Sequence, residues 1–141
     1  MMPEAERYRV FLSHSQEDTY VVENLIRRKI EESGALVFVD VAEIKFGDDI
    51  RDSIFVELKK CNELVVLCTP IALKRPWIFA ELGIALSQAK RIILIVYGPT
   101  ELELQELGIL TLVGTNKRLK LDHLDNYIVE LSARVMEHLH V

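Results

Sequence analysis

The sequence predicts an α/β protein built in three layers, a five-stranded parallel sheet with helices on both faces. Three observations carry that expectation. Short apolar runs rich in β-branched residues alternate with amphipathic helical stretches along the chain. Those runs are almost free of polar residues, as strands covered on both faces must be. Each run also stops abruptly in polar or turn-forming residues, the pattern of strand–helix–strand units.

The elements follow in order. Tyr8 to Leu12 (YRVFL) is the first strand and ends in SHSQED, where Glu17 and Asp18 suit a helix N-terminus. The helix that follows presents Val21, Val22, Leu25, Ile26 and Ile30 on one face and closes near Ser33–Gly34. Ala35 to Val39 (ALVFV) is the second strand, with Asp40 at its end and the loop VAEIKFGDD beyond. A second helix turns Ile50, Ile54, Phe55 and Leu58 inward. Leu64 to Cys68 is the third strand, stopped by Thr69–Pro70, and Pro76 then stands near the first turn of a third helix. Ile92 to Tyr97 is the fourth strand. Residues 99–108 form a loop or short helix, Ile109 to Val113 a fifth strand, and Leu121 to Leu139 a closing helix striped by Leu124, Ile128, Leu131 and Val135. Right-handed crossovers in a chain of this size point to the flavodoxin-like order 2-1-3-4-5.

The 141 residues make one domain, residues 1–141, without repeats, low-complexity tracts or a linker. Half the residues are hydrophobic and 28% are charged, the balance of a globular protein. A net charge of −5 argues against nucleic acid as the main partner, since phosphate binding needs a clustered basic surface. The apolar runs are too short to span a bilayer. Cys61 and Cys68 show no metal spacing, and Cys68, inside an apolar run, is expected as a buried free thiol. With no secretory leader, a cytoplasmic setting is expected.

Ligands of such sheets bind at the carboxyl ends of the strands, beside the switch point in strand order. SHSQED, DVAEIKFGDD and the start of the third helix all fall on that rim. The third helix contains WIFAELGIAL, in which nine of ten residues are uncharged and the tenth is Glu81. The i,i+4 spacing stacks Trp77 and Glu81 on one helical face. A carboxylate in so apolar a segment costs free energy unless paired, hydrogen-bonded or protonated, so it invites a functional reading; an ordinary exposed glutamate is the alternative. Rival chemistries lack their residues. Phosphoacceptor chemistry wants a carboxylate at the end of strand three, which here reads Leu67-Cys68-Thr69-Pro70. No GxGxxG or P-loop follows strand one. His123, His138 and His140 sit far along the chain from Glu81, and no metal site is expected.

VFLSHSQED, FVDVAEIKFGDDI and LCTPIALKRPWIFAELGIAL together resemble a Toll/interleukin-1 receptor (TIR) domain, over about residues 9–96 and closest to the bacterial, enzymatic branch. The resemblance implies the flavodoxin-like fold and, in enzymatic members, cleavage of the nicotinamide–ribose bond of NAD. NAD is then substrate, and no cofactor is expected. It makes Glu81, the glutamate of WxxxE, the catalytic residue. It makes Trp77 an aromatic wall of the nucleotide site. Ser15 and Gln16, with His14 beside them, become substrate contacts after strand one. Lys45 in the loop after strand two becomes a contact to the ligand, and Asp40 either touches ligand or organises that loop. One departure from the family pattern is Arg75, followed by Pro76, where relatives often carry Ser two residues before the Trp. The implied setting is bacterial anti-phage signalling, with self-association of TIR domains. A non-catalytic module that assembles through the same surfaces is the alternative, and a transferase acting on N-glycosidic bonds of free nucleosides is a third reading.

Overall fold

In the computed structural model, residues 7–41, 50–109 and 118–139 are described. Five strands, β1 (Arg9–His14), β2 (Leu36–Val41), β3 (Glu63–Cys68), β4 (Arg91–Val96) and β5 (Arg118–Lys120), form one sheet in the order β2-β1-β3-β4-β5. All four pairings are parallel. The expected topology is the observed one.

The main helices among the described residues are α1, a composite of Gln16–Asp18, Thr19–Val21, a π-helical segment Val22–Ile26 and Arg27–Glu32, then α2 (Ile50–Lys60), α3 (Pro76–Ser87), α4 (Glu101–Glu106) and α5 (Leu124–Leu139). Period-two alternation along the strands divides the core between the two faces. Phe11, Leu64, Val66, Cys68, Ile92 and Leu94 pack with Ile54 and Leu58 of α2 and Ile78, Leu82 and Ala85 of α3. Val10, Leu12, Val65, Leu67 and Ile95 pack with Val22, Ile26 and Ile30 of α1 and with Leu124, Tyr127, Leu131 and Val135 of α5. Gly34 ends α1 at φ +97, a conformation that L side chains rarely adopt, and a Cβ there would stand 3.2 Å from Val135 of α5.

Three expectations about elements need correction. The fifth strand is Arg118–Lys120, whereas the stretch expected in that role, 109–113, lies outside the described residues except for Ile109, which is buried but outside the sheet. Leu25 and Phe55, expected inward, are exposed. The π-helical segment accounts for Leu25, because its wider turn shifts the phase of a 3.6-residue stripe. Phe55 lies beside the inward stripe of Ile54 and Leu58, about 100° round the helix from Ile54. Residues 99–108 do include a short helix, α4, entered through a capping box in which Thr100 and Glu103 satisfy each other's backbone.

At the amino-terminal edge of the sheet the fold buries a second glutamate. Glu63 is fully buried and accepts hydrogen bonds from Tyr8, from Tyr127 (2.5 Å) and from Arg134 Nε and Nη2 (2.9 and 3.2 Å). Every partner comes from a distant part of the chain, and two of them sit on α5. The cluster therefore fastens the last helix to the central strand.

Both cysteines are free and buried, as expected for Cys68. Burial pushes both thiols from 9.0 up to about 12. Burial and the Glu63 charge push Tyr8 and Tyr127 above their usual 10.0. The folded chain thus holds protons that the unfolded chain releases first. Stability is complete below about pH 9 and falls as pH rises toward 12, by up to about 1.4 kcal/mol per pH unit for each group in its window. Urea unfolding at intervals from pH 8 to 11 checks this, and a flat profile would mean that the thiols ionise within the fold.

Candidate active site at the carboxyl rim of the sheet

Glu81 lies in the second turn of α3 with no solvent exposure. Its neighbours at i−3 and i+4, Ile78 and Ala85, are both core residues, so the carboxylate projects from the helix face that packs on the sheet. Pro76 opens the helix with its fixed φ, and Arg75 precedes it in extended conformation. Glu81 lies five positions after Pro76, which sets its Cα about 7–8 Å below the rim along the helix axis. Trp77 occupies the first turn. Its side chain lies outside the described residues.

The end of β1 delivers a cluster of polar groups to the same rim. Ser13, His14 and Ser15 are all fully buried, and Gln16 is exposed. Strand alternation sends Ser13 to the Phe11 face, shared with α3, and His14 to the Leu12 face, shared with α1 and α5. Ser13, which was not singled out as a site residue, is therefore the β1 side chain on the side of Glu81. Its hydroxyl has no hydrogen-bond partner among the described residues. His14 Nδ1 lies 2.6 Å from the Ser15 carbonyl oxygen and must donate in that contact, while Nε2 is buried without a partner among the described residues.

Ser15 donates to Asp18 Oδ2 at 2.7 Å, and Thr69, just past β3, donates to the same oxygen at 2.6 Å. Thr69 Oγ1 in turn accepts the Ala72 backbone N–H at 3.1 Å. Asp18 thereby ties the loop after β1 to the loop after β3. A second tie runs outside it, where Arg75 donates to Glu17 at 2.6 Å. Arg75 thus joins the entry of α3 to the start of α1, and the departure from the family pattern leaves the helix intact. Asp40 stands in β2 opposite Ser13, with its side chain outside the described residues, and Lys45 lies wholly outside them. Among the described residues no group of three His, Cys, Asp or Glu is placed to hold a metal ion.

The family model described as a TIR domain matches residues 10–127. The chain belongs to the TIR family. A curated relative, the 2′ cyclic ADP-D-ribose synthase BtTIR of Bacteroides thetaiotaomicron, is 30% identical over 78 residues, 55% of this chain. The matched stretch spans only 27% of that relative's length. Among solved structures, the TIR domain of the Toll-related receptor TRR-2 of Hydra magnipapillata is similar at a TM-score of 0.61 and 24% identity, covering 89% of this chain and 91% of that one. The RPS4 and RRS1 TIR domain heterodimer is similar at a TM-score of 0.59 and 18% identity, covering 92% and 97%. These structural likenesses establish a common fold.

The two ties at the rim differ in burial, so their loss has different effects. Asp18→Ala leaves two hydroxyls without their acceptor and is expected to cost about 1–3 kcal/mol. Arg75→Ala breaks an ion pair whose side chains are 39% and 46% exposed, and is expected to cost less than about 1 kcal/mol. Denaturant titration of both variants checks the order, which a larger loss in Arg75→Ala would reverse.

Proposed function

We propose that this TIR domain cleaves the nicotinamide–ribose bond of NAD, with Glu81 as the catalytic carboxylate. The observation that carries the reading is a fully buried glutamate on α3, one and a half turns in from the carboxyl rim and facing the sheet. Nicotinamide leaves as a neutral pyridine with the bonding electron pair, so it needs no proton from a general acid. Positive charge then builds on the ribose as an oxocarbenium-like transition state. A carboxylate in a water-poor site stabilises that charge more strongly than the same group in solvent. Water attacking the anomeric carbon gives ADP-ribose, and attack by the substrate's own adenine gives a cyclic isomer. The similarity to a 2′ cyclic ADP-D-ribose synthase supports a cyclic product, and its 2′ locant points to a ribose hydroxyl, rather than adenine, as the attacking group.

Ser15, Gln16, His14, Asp40, Lys45 and Trp77 are the proposed contacts to the dinucleotide, and Ser13 joins them on the strength of its face and burial. Self-association of this domain, and a cytoplasmic role in signalling against phage, belong to the same proposal. A likeness to TIR domains in a heterodimer supports the first of these.

The test is NAD consumption at high protein concentration with nicotinamide and nucleotide products resolved. Glu81→Ala and Glu81→Gln are expected to lower turnover by at least about 100-fold while keeping the fold, a scale typical of losing a main electrostatic stabiliser. Turnover per subunit is also expected to rise with protein concentration. Inert wild-type protein under forced assembly would instead favour a non-catalytic interaction module.

A further inference from the structure

A cavity of about 350 Å³ opens at the far end of the same rim, where β4 and β5 stop. Its described lining is Val96 and Pro99 at the end of β4, Glu101 and Leu104 of α4, Arg118, Leu119 and Lys120 of β5, and His123 at the entry to α5. Two permanent cations and an imidazole thus face one carboxylate, on a chain whose net charge is −5. Local charge of that sign, set against the sign of the whole molecule, concentrates small anions. Arg118 is ion-paired with Glu101 across the opening, whereas Lys120 is exposed and has no carboxylate partner among the described residues. The remaining wall is apolar, with Leu104 fully withdrawn into the core beneath it.

We infer that this cavity is a binding site for a small phosphorylated ligand of about mononucleotide size, separate from the site at Glu81. Charge selects an anion, and the guanidinium, ammonium and imidazole supply the geometry for a phosphate group. The apolar wall of Val96, Pro99, Leu104 and Leu119 suits a flat ring attached to it. Volume sets the size limit, since the cavity lies at the low end of the roughly 300–1,000 Å³ usual for ligand sites and does not enclose a whole dinucleotide. Two strand spacings, about 10 Å, separate β4 from β1, so the cavity and the β1 cluster are neighbouring but distinct. In the empty site Glu101 competes with the ligand for Arg118, which makes that carboxylate the internal brake on affinity.

The experiment is a titration of the 141-residue chain with AMP, followed by backbone amide NMR and by calorimetry, with inorganic phosphate and adenosine as the two halves. AMP is expected to shift the amides of Arg118, Lys120 and His123 and to bind more tightly than either half. Lys120→Glu is expected to weaken it at least tenfold, Glu101→Gln to tighten it severalfold, and Glu81→Gln to leave it unchanged. Binding should also weaken as salt is raised. The inference is overturned if millimolar AMP leaves those amides unmoved, or if Lys120→Glu has no effect. It is overturned equally if Glu81→Gln abolishes the binding, which would place AMP in the catalytic site, or if Lys120→Glu changes only the sedimentation of the chain, which would make the cavity a protein contact. None of these outcomes depends on whether the chain turns over NAD.

Discussion

The buried carboxylate of Glu63 is the constraint on which the rest of the molecule rests. A parallel sheet needs both faces covered, and the face on which α1 and α5 pack is closed only when the last helix returns to it. Arg134 and Tyr127 of that helix, with Tyr8 ahead of β1, supply four hydrogen bonds to a single side chain at the start of β3. Burying one charge without such a set would be strongly unfavourable, and removing one partner of a buried ion pair costs about 3–5 kcal/mol. The carboxylate therefore acts as a gauge of correct docking. Helix α5 in any other register would leave a charge stranded in the core.

With the amino-terminal edge committed to that cluster, the proposed chemistry falls on the opposite edge. There the loops after β1 and β3 are tied together through Asp18, and α3 enters between them under the Arg75–Glu17 pair. The ties act on loops, which would otherwise be the least ordered parts of the rim. Glu81 itself sits on a helix packed into the core, and its backbone position is held by the same contacts that hold Ile78 and Leu82. For the catalytic role proposed for Glu81, a carboxylate fixed in this way needs little reorganisation when charge develops nearby.

Much of this was legible in the sequence, and the failures have physical causes. Strands β1 to β4 announce themselves because two covered faces require nearly continuous apolar runs. Strand β5 does not, because it is only three residues long and two of them, Arg118 and Lys120, are charged, while the more apolar 109–113 draws the assignment. Leu25 was misplaced by a change of helical phase that no hydropathy pattern shows. Glu81 stood out because a lone carboxylate in WIFAELGIAL breaks a local pattern. Glu63 begins its strand just as oddly, yet its meaning depends on Tyr8, Tyr127 and Arg134, which lie 55 to 71 positions away. The Ser15–Asp18–Thr69 link joins loops 51 positions apart and is silent for the same reason. Ser13 was within reach, since counting outward from Phe11 by twos sends its hydroxyl to the face of α3.

The placement of the two buried glutamates at opposite ends of the sheet has a further consequence. A change at the rim that abolished the proposed bond cleavage would touch none of the partners of the Glu63 cluster. An inactive descendant would still present the same shape to a second copy of itself. Under the proposed function, a catalyst and a pure assembly module on this scaffold would differ at a single side chain, Glu81, and share the same Glu63 fastening.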